Sequence, residues 1–269
     1  MELLSILQYS FIQKALIAGS CVAVVCSTLG VFLVLRRMSL IGDGLSHVSF
    51  GAIACGLFFG IYPIYIAIPL VMLASVFVLK ISGKAKLYGD AAIGIVSSVG
   101  IACGVLLASL SKGFNVDLFS YLFGNILAIN NTETILSIGL VILIFIIIIL
   151  FYWDLFSVTF DEEFSKTIGV KTDSLNTMLA LLTAITVVLA VRTVGVMLVS
   201  ALLILPAVSA LQIAKNLKST LFLSSIFSLF SLIVGIMISF VLDLPAGATI
   251  VLLNALILLL SLCYKKLSI

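Results

Sequence analysis

The sequence predicts an all-α polytopic membrane protein with eight or nine transmembrane helices. Of its 269 residues, 63% are hydrophobic and 9% are charged, whereas a soluble domain carries about 25% charged residues. Nine apolar segments have about the length that a helix needs to cross a bilayer, roughly 20 residues. Most of the basic residues lie in alternate connections between these segments. A soluble fold is therefore excluded, and no basic face suggests nucleic-acid binding.

The apolar segments follow one another with short connections. They span residues 11–35, 40–59, 63–82, 91–110, 134–153, 174–191, 195–214, 219–241 and 246–264. Eight passes result if one segment is re-entrant. Residues 118–129 are too short to span and favour a re-entrant or interfacial helix. Residues 1–13 lack the charged start and cleavage site of a signal peptide, so the first span is expected to stay. We interpret residues 1–269 as a single transmembrane domain.

The basic residues orient the chain. Eleven of the fourteen Lys and Arg residues fall on one side when the segments are counted alternately. They are Arg36, Arg37, Lys80, Lys84, Lys86, Lys166, Lys171, Lys215, Lys218, Lys265 and Lys266. Because cytoplasmic loops are enriched in basic residues, this predicts an outer N-terminus and a cytoplasmic C-terminus.

An acid and the chain's one histidine stand close together at the start of the second apolar segment. Asp43 and His47 are four residues apart, so on a helix they share one face. Ionisable groups in a membrane segment are costly and normally face a cavity or a partner. Three interpretations stay open: the two residues clamp each other, Asp43 caps the backbone or neutralises Arg36 or Arg37, or the pair ligates a metal ion in transit. Imidazole with carboxylate suits Zn²⁺ or Mn²⁺.

A second feature is the polar connection after the fifth segment, where residues 161–170 predict a short cytoplasmic helix. Asp161 suits the N-cap, Glu162 and Glu163 suit the first turn, and Gly169 suits the C-terminal stop. Phe160, Phe164 and Ile168 recur every four residues and form an apolar stripe. The helix either lies on lipid or docks a cytoplasmic partner, and the acids at its start disfavour an anionic membrane surface.

These features resemble the membrane permease of bacterial ABC-type zinc, manganese and iron importers. The resemblance covers nearly the whole chain. It rests on residues 36–47, 90–95, 120–127, 161–170, 194–207 and 243–247. One departure is Gly44, where members of the family commonly carry alanine. The resemblance implies a fold like that of the cobalamin and siderophore importers, in the bacterial cytoplasmic membrane.

The resemblance also implies the partners and the cargo. It implies a homodimer of permeases, two cytoplasmic ATP-binding cassette ATPases and an extracellular metal-binding protein. A cofactor is not expected to be held permanently. Residues 203–210 and 121–124 look like the zinc branch, so Zn²⁺ is favoured over Mn²⁺. Residues 161–170 match the helix that couples to the ATPase, with contacts expected from Phe160, Asp161, Glu162, Glu163, Phe164, Ile168 and Gly169.

One chain supplies only two metal ligands, Asp43 and His47. A twofold dimer with this helix near the axis would supply four.

Near the outer side, Asp243 and Pro245 form either a simple turn or a candidate outer gate that contacts the binding protein. Arg192 is expected either to extend its charged group to the membrane–water interface or to pair with an acidic binding protein.

Two other function classes fit the sequence less well than an importer subunit. An intramembrane metalloenzyme would need a third ligand and a general base, and the sequence has no HExxH. A secondary transporter would need no ATPase, but no inverted repeat is evident and residues 161–170 are typical of a docking helix. The chain also lacks the GxxxxGK[ST] phosphate loop, so ATP hydrolysis is expected from a separate subunit.

Overall fold

The computed structural model describes residues 10–84, 89–110, 124 and 129–267, where all regular secondary structure is α-helical. Most of residues 118–129, predicted as a re-entrant or interfacial helix, lie outside these ranges, as does Lys86. The described helices are α1 (Ser10–Leu35), α2 (Ile41–Phe58), α3 (Pro63–Lys84), α4 (Gly89–Leu110), α5 (Asn131–Leu150), α6 (Tyr152–Phe160), α7 (Glu162–Thr167), α8 (Thr172–Val194), α9 (Val196–Ile213), α10 (Leu217–Leu242) and α11 (Ala246–Leu267).

Eight of these helices are long and apolar enough to cross a membrane: α1 to α5, α8, α10 and α11. The helix α9 is a further apolar helix, and its apolar run, Leu198–Ile213, is shorter than the eight spans. The prediction of an all-helical fold with eight or nine passes is therefore confirmed. In contrast, α6 and α7 are too short to span and lie in the connection between α5 and α8.

Contacts between distant loops bring the basic residues to one end of the bundle. Arg36, which follows α1, pairs with Glu162 of α7 at 3.1 Å. The Lys218 ammonium lies 5.4 Å from the centre of the Tyr152 ring, so the start of α10 lies beside the start of α6. By the positive-inside rule this end is cytoplasmic, as the sequence predicts.

Helices α1, α2 and α8 form the interior of the bundle, whereas most of the surface of α4 and α11 is not covered by the chain. The helix α9 packs closely against α1 at Leu203. A Cβ atom on Gly30 of α1 would lie within 1.8 Å of the Leu203 carbonyl oxygen, so only glycine permits this approach.

Hydroxyl groups join α1 to α10. The Ser224 hydroxyl donates to the Ser27 carbonyl at 3.1 Å, and the Ser228 hydroxyl donates to the Ala23 carbonyl at 2.9 Å. In a bilayer, small hydroxyl residues allow close packing and satisfy their own polar groups across the helix interface. These contacts attach α10 to the interior helices.

Candidate metal pathway and coupling helix

The Asp43–His47 pair lies in the first two turns of α2. The His47 Nε2 atom is 3.8 Å from Asp43 Oδ2, and the other carboxylate oxygen, Oδ1, accepts a 2.9 Å hydrogen bond from the Ser200 hydroxyl of α9. The His47 side chain is 19% exposed and that of Asp43 is 46% exposed. The carboxylate is therefore held on one side and open on the other.

Close packing of α2 explains how the pair is oriented. Twelve of its 18 residues are buried, and α2 packs on α3, α4, α8 and α9. A Cβ atom on Gly51 would lie 2.4 Å from the carbonyl oxygen of Gly100 in α4, so the two backbones touch. The helix is thereby fixed in rotation, and the Asp43 side is the part of the pair that another molecule can reach.

The structure separates the interpretations of Asp43. In the described residues, Arg36 pairs with Glu162, and neither Arg36 nor Arg37 forms an ion pair with Asp43. The Asp43 side chain accepts a hydrogen bond from Ser200 and does not cap α2. A separation of 3.8 Å exceeds hydrogen-bond distance, so the two residues are only a loose clamp. Ser200 was not predicted, because nothing in the sequence indicates which turn of α9 would face α2.

A complete metal site is not formed by a single chain in the described ranges. There, no group of three or more His, Cys, Asp and Glu residues is close enough to hold a metal ion. Asp43 and His47 can offer two ligands, with the Ser200 hydroxyl orienting the carboxylate. An incomplete site of this kind suits an ion that must leave again.

The short helix predicted at 161–170 corresponds to α7, Glu162–Thr167. Asp161 is its N-cap, and its side chain accepts a 2.8 Å hydrogen bond from the Phe164 backbone N–H. Ile168 is the C-cap residue, and Gly169 has a φ of 88°, the left-handed conformation that favours glycine. The Phe164 side chain is 57% exposed.

The predicted stripe of Phe160, Phe164 and Ile168 is not on one helix. Phe160 ends α6, and the extended backbone of Asp161 separates α6 from α7. The Phe160 ring lies 4.8 Å from the ring of Phe156, which is also in α6. The prediction that the three residues share one helix is therefore wrong. All three side chains of the predicted stripe are nevertheless exposed.

The carboxylate of Glu162 makes two ion pairs within the chain. It contacts Arg36 at 3.1 Å and Lys166 at 3.0 Å. Burial raises the pKa of Glu162, but Lys166, Arg36 and a hydrogen bond from Asn176 outweigh this and lower the pKa below its ordinary value. Glu162 is therefore a charged link within the chain.

The chain is similar to known proteins along nearly its whole length. The model of the ABC 3 transport family matches residues 8–265. The chain belongs to the ABC 3 transport family. It is the permease of an ABC metal importer, a multi-pass protein of the bacterial plasma membrane, and the resemblance noted in the sequence is confirmed.

Relatives of this ABC 3 permease carry names for two metals. The manganese import permease ScaB of Streptococcus gordonii is 37% identical over 94% of this chain and 91% of its own length. The zinc uptake protein ZnuB of Haemophilus influenzae is 31% identical over 96% of this chain and 99% of its own length. Family membership therefore does not determine the metal, and the expected preference for zinc is not established.

Solved structures agree with the fold. A chain of the PsaBC complex of Streptococcus pneumoniae, determined with a Fab, superimposes with a TM-score of 0.88 at 35% identity, covering 96% of this chain and 94% of that chain. A transporter assigned to the metal-chelate type, in an inward-facing conformation, gives a TM-score of 0.76 at 19% identity and supports the fold alone.

At the outer end of the permease, Asp243 and Pro245 form the turn between α10 and α11. Asp243 is the C-cap of α10 with a left-handed φ of 55°, and the Leu244 N–H donates to the Ser239 carbonyl at 3.0 Å. The Pro245 carbonyl accepts from the Thr249 N–H at 3.2 Å. The turn is present, and a gating role for these two residues stays a prediction.

Arg192 has a partner within the chain that the sequence analysis missed. Its Nε atom contacts the Glu133 carboxylate at 2.8 Å, and Glu133 is almost completely buried. Glu133 also forms a capping box with Asn130 at the start of α5 and accepts a hydrogen bond from the Tyr62 hydroxyl. The Asn-x-x-Glu spacing could have revealed the cap, but not its arginine partner.

Proposed function

We propose that this permease carries Mn²⁺, with Zn²⁺ as the alternative cargo, from an extracellular binding protein into the cytoplasm, driven by ATP hydrolysis in a separate ATPase. The observation that carries the proposal is the half-open Asp43–His47 pair in α2, oriented by Ser200. Ionisable residues that face open space inside a membrane protein usually mark a transport pathway.

The choice of manganese rests on relatives and on ligand chemistry. ScaB, a manganese permease by name, is 37% identical, and MntC of Halalkalibacterium halodurans, also named for manganese, is 34% identical. ZnuB, named for zinc, is 31% identical. Carboxylate oxygen suits Mn²⁺ and imidazole suits Zn²⁺, so the donor atoms permit manganese without excluding zinc.

We also infer the composition of the assembly. Two copies of the permease would each supply an Asp43–His47 pair. Asp43 is the more exposed member of the pair, so two pairs would approach each other through the Asp43 side. Two ATPases would dock at the cytoplasmic end against the exposed Phe160, Phe164 and Ile168. The binding protein would dock at the outer end, near Asp243 and Pro245.

The proposal is tested by uptake of radioactive manganese and zinc in a strain that lacks its own permease gene. We expect Asp43→Asn and His47→Ala each to lose uptake of the transported metal, with normal amounts of permease in the membrane. Asp173→Asn is the matched control, since Asp173 is also an acid in the first turn of a helix but is exposed. Uptake that survives both site changes would overturn the pathway assignment.

The same cells separate an ATP-driven importer from a secondary transporter. Removing the partner ATPase, or inactivating its phosphate-binding lysine, should abolish uptake of both metals. Uptake that continues without the ATPase would favour the secondary transporter. Competition between manganese and zinc in the wild type then identifies the cargo.

A further inference from the structure

An ion pair between a buried arginine and a partly exposed glutamate connects α7 to the turn between α1 and α2. The Nη2 atom of Arg36 donates to the Oε2 atom of Glu162 at 3.1 Å, although the two residues are 126 positions apart. The Arg36 side chain is only 6% exposed. An arginine so buried depends on its carboxylate, because leaving a buried charge unpaired is costly.

The turn that carries Arg36 is braced by hydrogen bonds at both ends. The Met38 N–H donates to the Leu33 carbonyl at 2.8 Å, and the Arg37 N–H donates to the Val34 carbonyl at 3.1 Å. With Arg37 in the left-handed conformation, φ 57°, this is the Schellman pattern of a helix end. The Ile41 N–H then donates to the Met38 carbonyl at 3.1 Å.

A displacement of Arg36 would therefore reach α2 directly. Backbone hydrogen bonds connect the end of α1 to Met38, and Met38 to Ile41, the first residue of α2. Asp43 follows two residues later. The ion pair also borders a cavity of about 500 Å³, whose lining mixes polar side chains such as Asn176 with apolar ones such as Ile41. The pair thus has space to move, whereas the turn behind it does not deform easily.

We propose that the Arg36–Glu162 ion pair transmits movement of α7 to α2, and so couples the ATPase to the Asp43–His47 pair. Arg36 and Glu162 are positioning residues, since neither contacts Asp43 or His47. The proposal rests on the proposed function and deepens it. It replaces the expected role of Glu162 as a contact to the ATPase with a role inside the permease.

The test uses the complete transporter with its ATPase, reconstituted in vesicles and supplied with metal-loaded binding protein. Glu162→Gln keeps the size and a hydrogen-bond acceptor for Arg36 but removes the charge. We expect the variant to retain bound ATPase and ATP hydrolysis, while metal uptake per ATP falls about tenfold, a usual size for coupling between two sites. A purely structural role would change the amount of complex and leave this ratio unaltered.

Lys166→Gln is the matched control. Lys166 contacts the same carboxylate at 3.0 Å, but from the surface, with 53% of its side chain exposed. Exposed ion pairs contribute little, so uptake per ATP should stay near the wild-type value. A fall equal to that of Glu162→Gln would overturn the proposal, since any loss of charge near α7 would then suffice.

A double-mutant cycle tests whether the two residues act together. Arg36→Gln and Glu162→Gln should each lower uptake per ATP, and the double variant should be no worse than either one. Losses that multiply would overturn the proposal. So would failure of all three variants to assemble, because the pair would then serve folding.

The outcomes also separate this inference from the proposed function. If wild-type vesicles transport metal with ATP and Glu162→Gln does so with the same yield, only the ion-pair inference fails. If wild-type vesicles transport neither manganese nor zinc with ATP, the proposed function itself fails.

Discussion

At the scale of the residue, the least predictable contact is the hydrogen bond from Ser200 to Asp43. A hydroxyl that donates to one carboxylate oxygen restricts the rotation of the side chain and leaves the second oxygen for another partner. The contact joins α9 to α2 across 157 residues of sequence. It therefore assigns to Ser200 a role in orienting the candidate ligand.

Ser200→Ala should weaken metal binding without removing a ligand. Loss of such an outer-shell partner typically costs about tenfold or more in metal affinity. We expect a higher concentration of metal for half-maximal uptake with little change in the amount of permease, and recovery in Ser200→Thr, which keeps a hydroxyl. Unchanged concentration dependence in Ser200→Ala would show that Asp43 needs no orienting group. The measurement is uptake over a range of metal concentrations.

At the scale of the element, α7 combines an N-cap, a left-handed glycine stop and an exposed aromatic side chain. These local features are encoded within residues 161–169, which is why the sequence indicates the helix. The helix is only six residues long, and isolated helices of that size are not stable in water. Its position therefore depends on its contacts with α6 and α8 as well as on the ion pair with Arg36.

Phe164→Ala should weaken attachment of the ATPase. If Phe164 fills an apolar cleft of the partner, truncation should cost about 2 kcal/mol or more in binding free energy. We expect less ATPase to co-purify with the variant and less uptake to follow. Phe222→Ala is the matched control, since Phe222 lies in the spanning helix α10 and is 68% exposed. Full ATPase binding by Phe164→Ala would mean that α7 rests on lipid.

A second element-scale contact joins α5 to α8 at the outer end. Arg192→Gln should leave the Glu133 carboxylate buried without its 2.8 Å partner. Breaking a buried pair from one side typically costs about 3–5 kcal/mol. We expect a lower melting temperature in detergent, with partial recovery in the double variant Arg192→Gln/Glu133→Gln. Equal melting temperatures for wild type and Arg192→Gln would show that the pair adds no stability.

At the scale of the whole molecule, the contacts among loops assign each connection to one end of the bundle. The hairpin between α2 and α3 lies with Glu133 and Arg192, whereas the turn after α1 lies with α7. The orientation inferred from the basic residues therefore assigns individual loop residues to one side of the membrane, and this assignment can be tested.

In a cysteine-free background, Ile61→Cys should react with a membrane-impermeant maleimide in intact cells. Lys215→Cys should react only after the membrane is opened. Both original side chains are exposed, so differences in reaction should report on the side of the membrane. The opposite labelling pattern would reverse the orientation. The measurement is labelled permease after purification.

The sequence by itself determined the features that depend on composition and local pattern. Apolar length predicted the spans, basic residues predicted the orientation, and local capping residues predicted α7. The sequence also predicted that Asp43 and His47 lie close together, because residues four apart on a helix share a face. Family membership followed from short motifs spread along the chain.

Only the tertiary structure decided the partners of the charged residues. Glu162 pairs with Arg36, Arg192 with Glu133, and Asp43 with Ser200, across 126, 59 and 157 residues. The same structure divided the supposed stripe between α6 and α7. The physical reason is that spacing along a chain specifies neighbours within one helix, whereas contacts between helices depend on how each helix is rotated and how closely its small residues let it approach.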